Sequence, residues 1–285
     1  MKKKVEITAI RSDGRVFNYQ NNDWGVTELS GVDFSPIEIF TSKRGSGHGV
    51  IITGKRKDAR DIDIVAVSRI ASNNEKDREM ALAFHNANYT FDIVLTYMGK
   101  TRIAKNCELQ GAKCPAGNVY QKQKLTVSFL APDADLIADT TESVTFTETR
   151  PMWHVPRVYT EGGALPFGVI DIVTTKTFEY LGSEPAPVIV MVQAEGYVEN
   201  INITMGGITC HIECELSEGD VLTADAGAKI VKINGAMIPA NKYDANALQK
   251  MWVEYGNNTV TVESDDEGNV AFSASIKYTG RYGGL

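Results

Sequence analysis

This 285-residue chain lacks several things, and each lack closes off a class of function. It has no run of about 18 consecutive apolar residues, so no helical membrane span is expected. Met1-Lys2-Lys3-Lys4 imitates the basic start of a signal peptide. However, Val5–Ile10 alternates in polarity and Arg11 and Asp13 follow at once, so the segment reads as a first strand, with no export by that route. Cysteine is scarce, at four residues, too few for a disulfide framework. Cys210 and Cys214, with His211 between them and Glu213 alongside, look at first like a metal pair. In a strand, Cys210, Ile212 and Cys214 share one face while His211 and Glu213 point to the other. The two cysteine Cα atoms would then stand about 13 Å apart, beyond disulfide reach of about 7 Å. They read as two small buried hydrophobes. Cys107 and Cys114 flank Gln110-Gly111-Ala112, which reads as a turn. They could meet across a hairpin, but free thiols fit better in a chain without an export signal.

Excess positive charge is also missing. With 29 Lys and Arg against 36 Asp and Glu, the net charge is −7, which argues against a nucleic-acid partner or membrane insertion. The four histidines are His48, His85, His154 and His211, none in a His-x-x-x-His or His-Glu-x-x-His frame, so neither a metal site nor a cofactor is expected. No Gly-x-Ser-x-Gly elbow occurs. Gly45-Ser46-Gly47-His48-Gly49, preceded by Lys43 and Arg44, resembles a phosphate cradle only in composition. A P-loop leads through Gly-Lys-Ser/Thr into a helix, whereas here Val50-Ile51-Ile52-Thr53, a strand, follows. With no reactive constellation in view, the expectation is a protein that is not an enzyme. Glycoside hydrolysis by a carboxylate pair is the weakest of the three classes weighed.

What is present is alternation. The chain is 43% apolar and 23% charged, the composition of a globular protein. Short strands are predicted over Lys4–Ser12, Arg15–Tyr19, Ile37–Ser42, Gly49–Thr53, Asp61–Val67, Tyr89–Thr96, Arg102–Leu109 and Gln121–Phe129. One helix is predicted over Asn74–Asn88, opened by Ser72 and Glu75 at capping-box spacing, with Met80, Ala83, Phe84 and Ala87 as its apolar stripe. Beyond Pro156, strands are predicted over Ile170–Phe178, Pro187–Ala194, Val198–Met205, Ile208–Leu216, Lys229–Ile233, Asn258–Glu263 and Val270–Tyr278, with a short helical crossover over Tyr243–Met251. Asp265–Asn269 supplies turn chemistry between the last two strands. The fold class is therefore mainly β: an N-terminal β-rich domain with one helix (1–135), a linker (136–156), and a C-terminal antiparallel β-sandwich (157–285).

Several of these features come together in one family. Gly45–Gly49, then Ala59-Arg60-Asp61-Ile62-Asp63-Ile64, then the helix with Met80 and Phe84 form one echo. The second runs through Gly219–Asp225, Lys229–Gly235, Trp252, Gly256–Thr261 and the Tyr278…Arg281-Tyr282 ending. Over nearly its whole length the chain resembles the distal tail protein family of siphophages, also called phage tail component. It departs at Glu254-Tyr255-Gly256, where a Pro often precedes the Gly, and at Asn21–Val32, which has no counterpart.

The resemblance implies a galectin-like C-terminal sandwich and a structural role. It implies a homo-hexameric ring in the virion, assembled in the host cytoplasm. This ring joins the major tail tube protein to the baseplate or tail-tip protein and lets the tape measure protein pass through its lumen. Local basicity in an acidic chain marks Lys43, Arg44, His48, Lys55, Arg56 and Lys57 as an inter-subunit arm over Ser42–Lys57. The alternative is a carbohydrate-binding module acting in adsorption to the host surface. Trp252 and His211 would be its sugar contacts, although Trp24, Trp153 and Trp252 read better as core or interface anchors.

Overall fold

The computed structural model describes residues 5–21, 23–69, 74–116, 122–151, 168–265 and 272–285. Ser72 of the expected capping box, Trp153, His154 and the turn residues 266–269 lie outside these. The chain divides into two compact units, Met1–Asp139 with Arg281–Leu285, and Thr140–Gly280. Both are mainly β.

The first unit is built from β1 (Glu6–Arg11), β2 (Val16–Asn18), β3 (Trp24–Ser30), β4 (Ile37–Lys43), β5 (Val50–Lys57), β6 (Arg60–Ser68), α1 (Asn74–Phe84), β7 (Phe91–Tyr97), β8 (Lys100–Lys113), β9 (Lys124–Ala131) and the start of β10 (Leu136–Thr145). All pairings are antiparallel. One run is β3-β6-β9-β8 and the other is β8-β7-β1-β2, so β8 serves both. It can do so because it bends. Asn106 sits at φ 52°, its N–H donates to Asp92 Oδ1 at 2.9 Å, and the register slips once on each side, at Phe91/Ile93 and at Leu109/Gly111. The expected turn at Gln110-Gly111-Ala112 is this second slip within one long strand. Cys107 and Cys114 therefore do not meet across a hairpin, and both are free and buried. Side chains from both runs, including Ile7, Ile64, Phe91, Ile93, Leu95, Val127 and Phe129, close one core.

The helix is where expected but rotated, and it ends at Phe84. Its buried face is Asp77, Ala81 and Phe84, continued by His85, while Met80 and Ala83 face solvent. The apolar count pointed to Met80. The burial of Asp77 shifts the face, and it is tolerated because Ser68 Oγ donates to Asp77 Oδ2 at 2.6 Å. Arg11 closes the other end of the helix. Its Nη1 donates to the carbonyls of Ala83 and Phe84 at 3.1 and 2.9 Å, and its guanidinium lies 4.2 Å from the Tyr89 ring centroid.

The second unit comprises the rest of β10, then β11 (Thr147–Pro151), β12 (Gly168–Ile172), β13 (Thr175–Tyr180), β14 (Ala186–Ala194), β15 (Val198–Met205), β16 (Ile208–Leu216), β17 (Val221–Asp225), β18 (Ile230–Ile233), β19 (Ala236–Met237), α2 (Ala245–Leu248), β20 (Trp252–Val253), β21 (Gly256–Ser264) and β22 (Phe272–Tyr282). One layer runs β19-β18-β17-β14-β22-β10 and the other β13-β21-β15-β16. Val188, Val190 and Val192 from β14 and Ala274 and Ile276 from β22 share a single core with Ile201, Ile203, Ile212, Val260 and Val262 from the other layer. This period-2 burial is what alternation predicts. The expected crossover helix is α2, whose cap Asp244 accepts from the Asn246 and Ala247 N–H groups at 3.0 Å each.

Three details differ from the sequence reading. Residues 136–145 are strand, inside the stretch expected to be a linker. β21 and β22 belong to different layers, so these two strands do not pair with each other as a hairpin. The last five residues belong to the first unit, where the Leu285 N–H donates to Val32 O at 2.9 Å.

Candidate functional site

β4 and β5 form a two-stranded sheet of their own. Every residue of β4 is exposed, and so is every residue of β5 except the half-buried Gly54. Paired over seven residues of β4, the ribbon extends about 24 Å. Gly47 (φ 94°) and Gly49 (φ 95°) shape its tip. The ribbon carries Ile37, Ile39, Phe40, Val50, Ile51 and Ile52, all exposed, with Phe34 at 70% exposure just before it. An isolated two-stranded ribbon is marginal in water. One that also shows apolar side chains on both faces is a surface built to be covered.

The base of the ribbon is fixed from inside the first unit. Arg60, the first residue of β6, is 1% exposed. Its guanidinium donates to the carbonyls of Gly31 (2.9 Å), Asp33, Ala134 (2.7 Å) and Gly283 (2.6 Å). Burial pushes its pKa down, opposed by the charges of Asp135 and Asp33. Thus one cation ties together the chain leading into the ribbon, the loop before β10 and the C-terminus. Ser35 Oγ adds a bond to Ala134 O at 2.5 Å, and Asp58 N–H closes the ribbon onto Pro36 O at 2.9 Å. The outcome is a rigid base and an uncovered blade.

The six basic candidates sit on this element but do not act alike. Lys43, Arg44 and His48 are exposed at or near the tip, and Lys55 is exposed on β5. Arg56 is engaged within the chain, with Glu38 at 2.9 Å and Asp58 at 3.1 Å, and Lys57 with Asp135 at 2.9 Å. Charge reasoning missed the apolar half of the surface. The signal was Val50-Ile51-Ile52, three consecutive apolar residues in a strand bounded by polar ones. A half-buried strand alternates, whereas an exposed ribbon awaiting cover on both sides need not.

No protein-family model matches the chain, and no curated protein matches it in sequence. Solved structures do match. The Dit protein of phage SPP1, described as a paradigm of the hub of the adsorption apparatus in phages infecting Gram-positive bacteria, is 12% identical with a TM-score of 0.66, over 96% of this chain and 98% of that one. A chain of the phage P2 baseplate in its activated, calcium-containing conformation is 8% identical with a TM-score of 0.50, over 97% of this chain and 98% of that one. The chain has the fold of a phage tail hub protein.

Within this hub fold the two expected sugar contacts are separated. His211 lines one cleft of the second unit with Glu199, Glu213 and Lys242, and Trp252 lines another. His211 Nδ1 and Asn202 Oδ1 are 2.7 Å apart, and Asn202 and Asn200 both donate to Asp265, holding its carboxyl below the usual range. No group of three metal-ligating side chains occurs among the described residues. All four thiols are free and burial raises each of them, Cys107 to about 12 and Cys210 and Cys214 to about 11. Among the described residues no helix is long and apolar enough to cross a membrane.

Proposed function

We propose that the protein is a structural component of a phage or prophage tail tip, a ring of identical subunits, hexameric as the family resemblance implies. In this reading the ring joins the tail tube to the baseplate or tail-tip protein, leaves a lumen for the tape measure protein, and assembles in the host cytoplasm into the virion. The protein acts by shape and contact and not as an enzyme. The observation that carries this is the β4–β5 ribbon on a fold that is shared over 96% of the chain with a phage hub protein. Copies of one chain that each extend an apolar ribbon onto the next form a heterologous contact, which makes a ring when the rotation from copy to copy closes. Lys43, Arg44 and Lys55 would add steering toward a neighbour in a chain of net charge −7. Agreement over both units supports a hub component over a free-standing carbohydrate-binding module.

Negative-stain electron microscopy of the purified protein, alone and mixed with the tail tube protein of the same phage, tests this. The expected images are annular particles with a central hole. Particles of single-chain size in both samples would overturn the proposal.

A further inference from the structure

We propose that the trough beside Trp252 and Tyr255 in the second unit binds an uncharged oligosaccharide. This goes beyond the hub reading and rests on the geometry of one unit alone. The trough has a volume of about 570 Å³, and three chain segments meet in it: the turn between β15 and β16, residues 250–255, and the start of β21.

Its aromatic wall is held in place. Trp252 Nε1 donates to Gln249 O at 2.8 Å, which fixes the indole. The loop after it is clamped by Asn258, whose Oδ1 accepts the Glu254 N–H at 2.9 Å and whose Nδ2 donates to the Glu254 and Gly256 carbonyls at 2.7 and 2.9 Å. Gly256, at φ 99°, makes the reversal that only glycine accepts readily. At the tip of this clamped loop Tyr255 is 76% exposed. The loop that carries Tyr255 already has its backbone held, so binding need not order it.

The floor is made of hydroxyls. Register places Thr175, Thr261, Thr204 and Thr209 in one row across β13, β21, β15 and β16. Thr175 and Thr261 bond at 2.9 Å, as do Thr204 and Thr209, and Thr177 and Thr259 repeat the arrangement at 2.9 Å. A hydroxyl that uses one bond for its neighbour keeps further acceptor capacity for a ligand. Of these, Thr204, Thr259 and Thr261 line the trough, joined by the amide of Asn257.

The chemistry of the ligand follows. A sugar ring offers an apolar C–H face to an aromatic side chain and hydroxyls to Thr and Asn groups. The ionisable side chains at the trough besides Tyr255 are one Lys250 and one Glu254, so neither sign of charge is selected. An extended peptide would seek the free N–H and C=O groups of a strand edge, whereas this trough opens on a sheet face.

The full-length protein would be titrated by isothermal calorimetry with chitotetraose, maltotetraose and a galactose-terminated tetrasaccharide. A polyglycerol phosphate chain and an unrelated tetrapeptide would serve as comparisons. At least one neutral tetrasaccharide is expected to bind. Tyr255→Ala and Trp252→Ala should each weaken it by about tenfold or more, as loss of a buried aromatic anchor does, with circular dichroism unchanged. His211→Ala, in the other cleft, should leave binding intact. The proposal is overturned if no neutral tetrasaccharide binds at millimolar concentration, if only the polyanion or the peptide binds, or if binding survives both aromatic substitutions.

Discussion

The two units solve the problem of a core differently. Among the described residues, the buried polar side chains are Arg11, Ser35, Arg60, Ser68, Asp77, His85 and Gln123, and all lie in the first unit. Among the described residues, the buried side chains of the second unit are apolar apart from the hydroxyls of Tyr180 and Tyr278. Apolar packing is non-directional and tolerates substitution when volume is kept. A buried polar network stabilises only one arrangement, because every other leaves a donor or acceptor unpaired. The unit that bears the ribbon is therefore the one whose geometry is specified by hydrogen bonds. The unit that bears the trough is specified by alternation and packing.

Arg60 gives the largest expected contrast. Arg60→Met would leave the carbonyls of Gly31, Asp33, Ala134 and Gly283 without their donor and cost the first unit about 3 kcal/mol or more. Hydrogen-exchange mass spectrometry should show faster exchange across residues 5–139 and unchanged exchange across 174–265. Equal acceleration in both would erase the distinction.

Acid should separate the units next. His85 Nδ1 lies 2.7 Å from Ala81 O, so that nitrogen carries the proton and Nε2 accepts the Tyr19 hydroxyl at 2.5 Å. Burial first of all, and Arg11 nearby, push His85 down to about 4. The unfolded chain, with an ordinary histidine value near 6.5, binds the proton first as pH falls, so the first unit loses stability between about pH 6.5 and 4. Asp13, held at about 2 chiefly by its hydrogen bond from Arg11, contributes above the ordinary carboxylate range and fails only at lower pH. Urea midpoints from Trp24 emission, in a Trp153→Phe/Trp252→Phe background, should fall over pH 6.5 to 4. His85→Gln should flatten that slope.

In both units the legible strands were those with long apolar alternation. In β14, Val188, Val190 and Val192 alternate with outward residues, so the strand and its buried face could both be read. β3 and β10 escaped because Trp24–Ser30 and Leu136–Thr145 are mostly exposed or half-buried and rich in Thr, Glu and Ser, which is loop composition. The helix was found but turned, since Asp77 faces inward only by virtue of Ser68, nine residues earlier. The ribbon was read as two short strands carrying a basic arm, and its apolar character went unread. Of the trough only Trp252 was singled out, and it was paired wrongly with His211 of the other cleft, because the three segments share no sequence pattern and meet only in the fold.

The smallest effect should come from the ribbon's own ion pair. Glu38 and Arg56 are 2.9 Å apart but both exposed, and exposed pairs contribute little. Glu38→Gln should leave the urea midpoint unchanged within error. A clear drop would mean that the ribbon is held by its own contacts and not by what covers it.

The most direct measurement is sedimentation velocity of the protein beside its Ile39→Glu/Ile51→Glu variant. The parent is expected to sediment as a closed assembly of about six 31.2 kDa chains and the variant as single folded chains. If the variant sediments as the same assembly as the parent, the β4–β5 ribbon does not join subunits and the account fails.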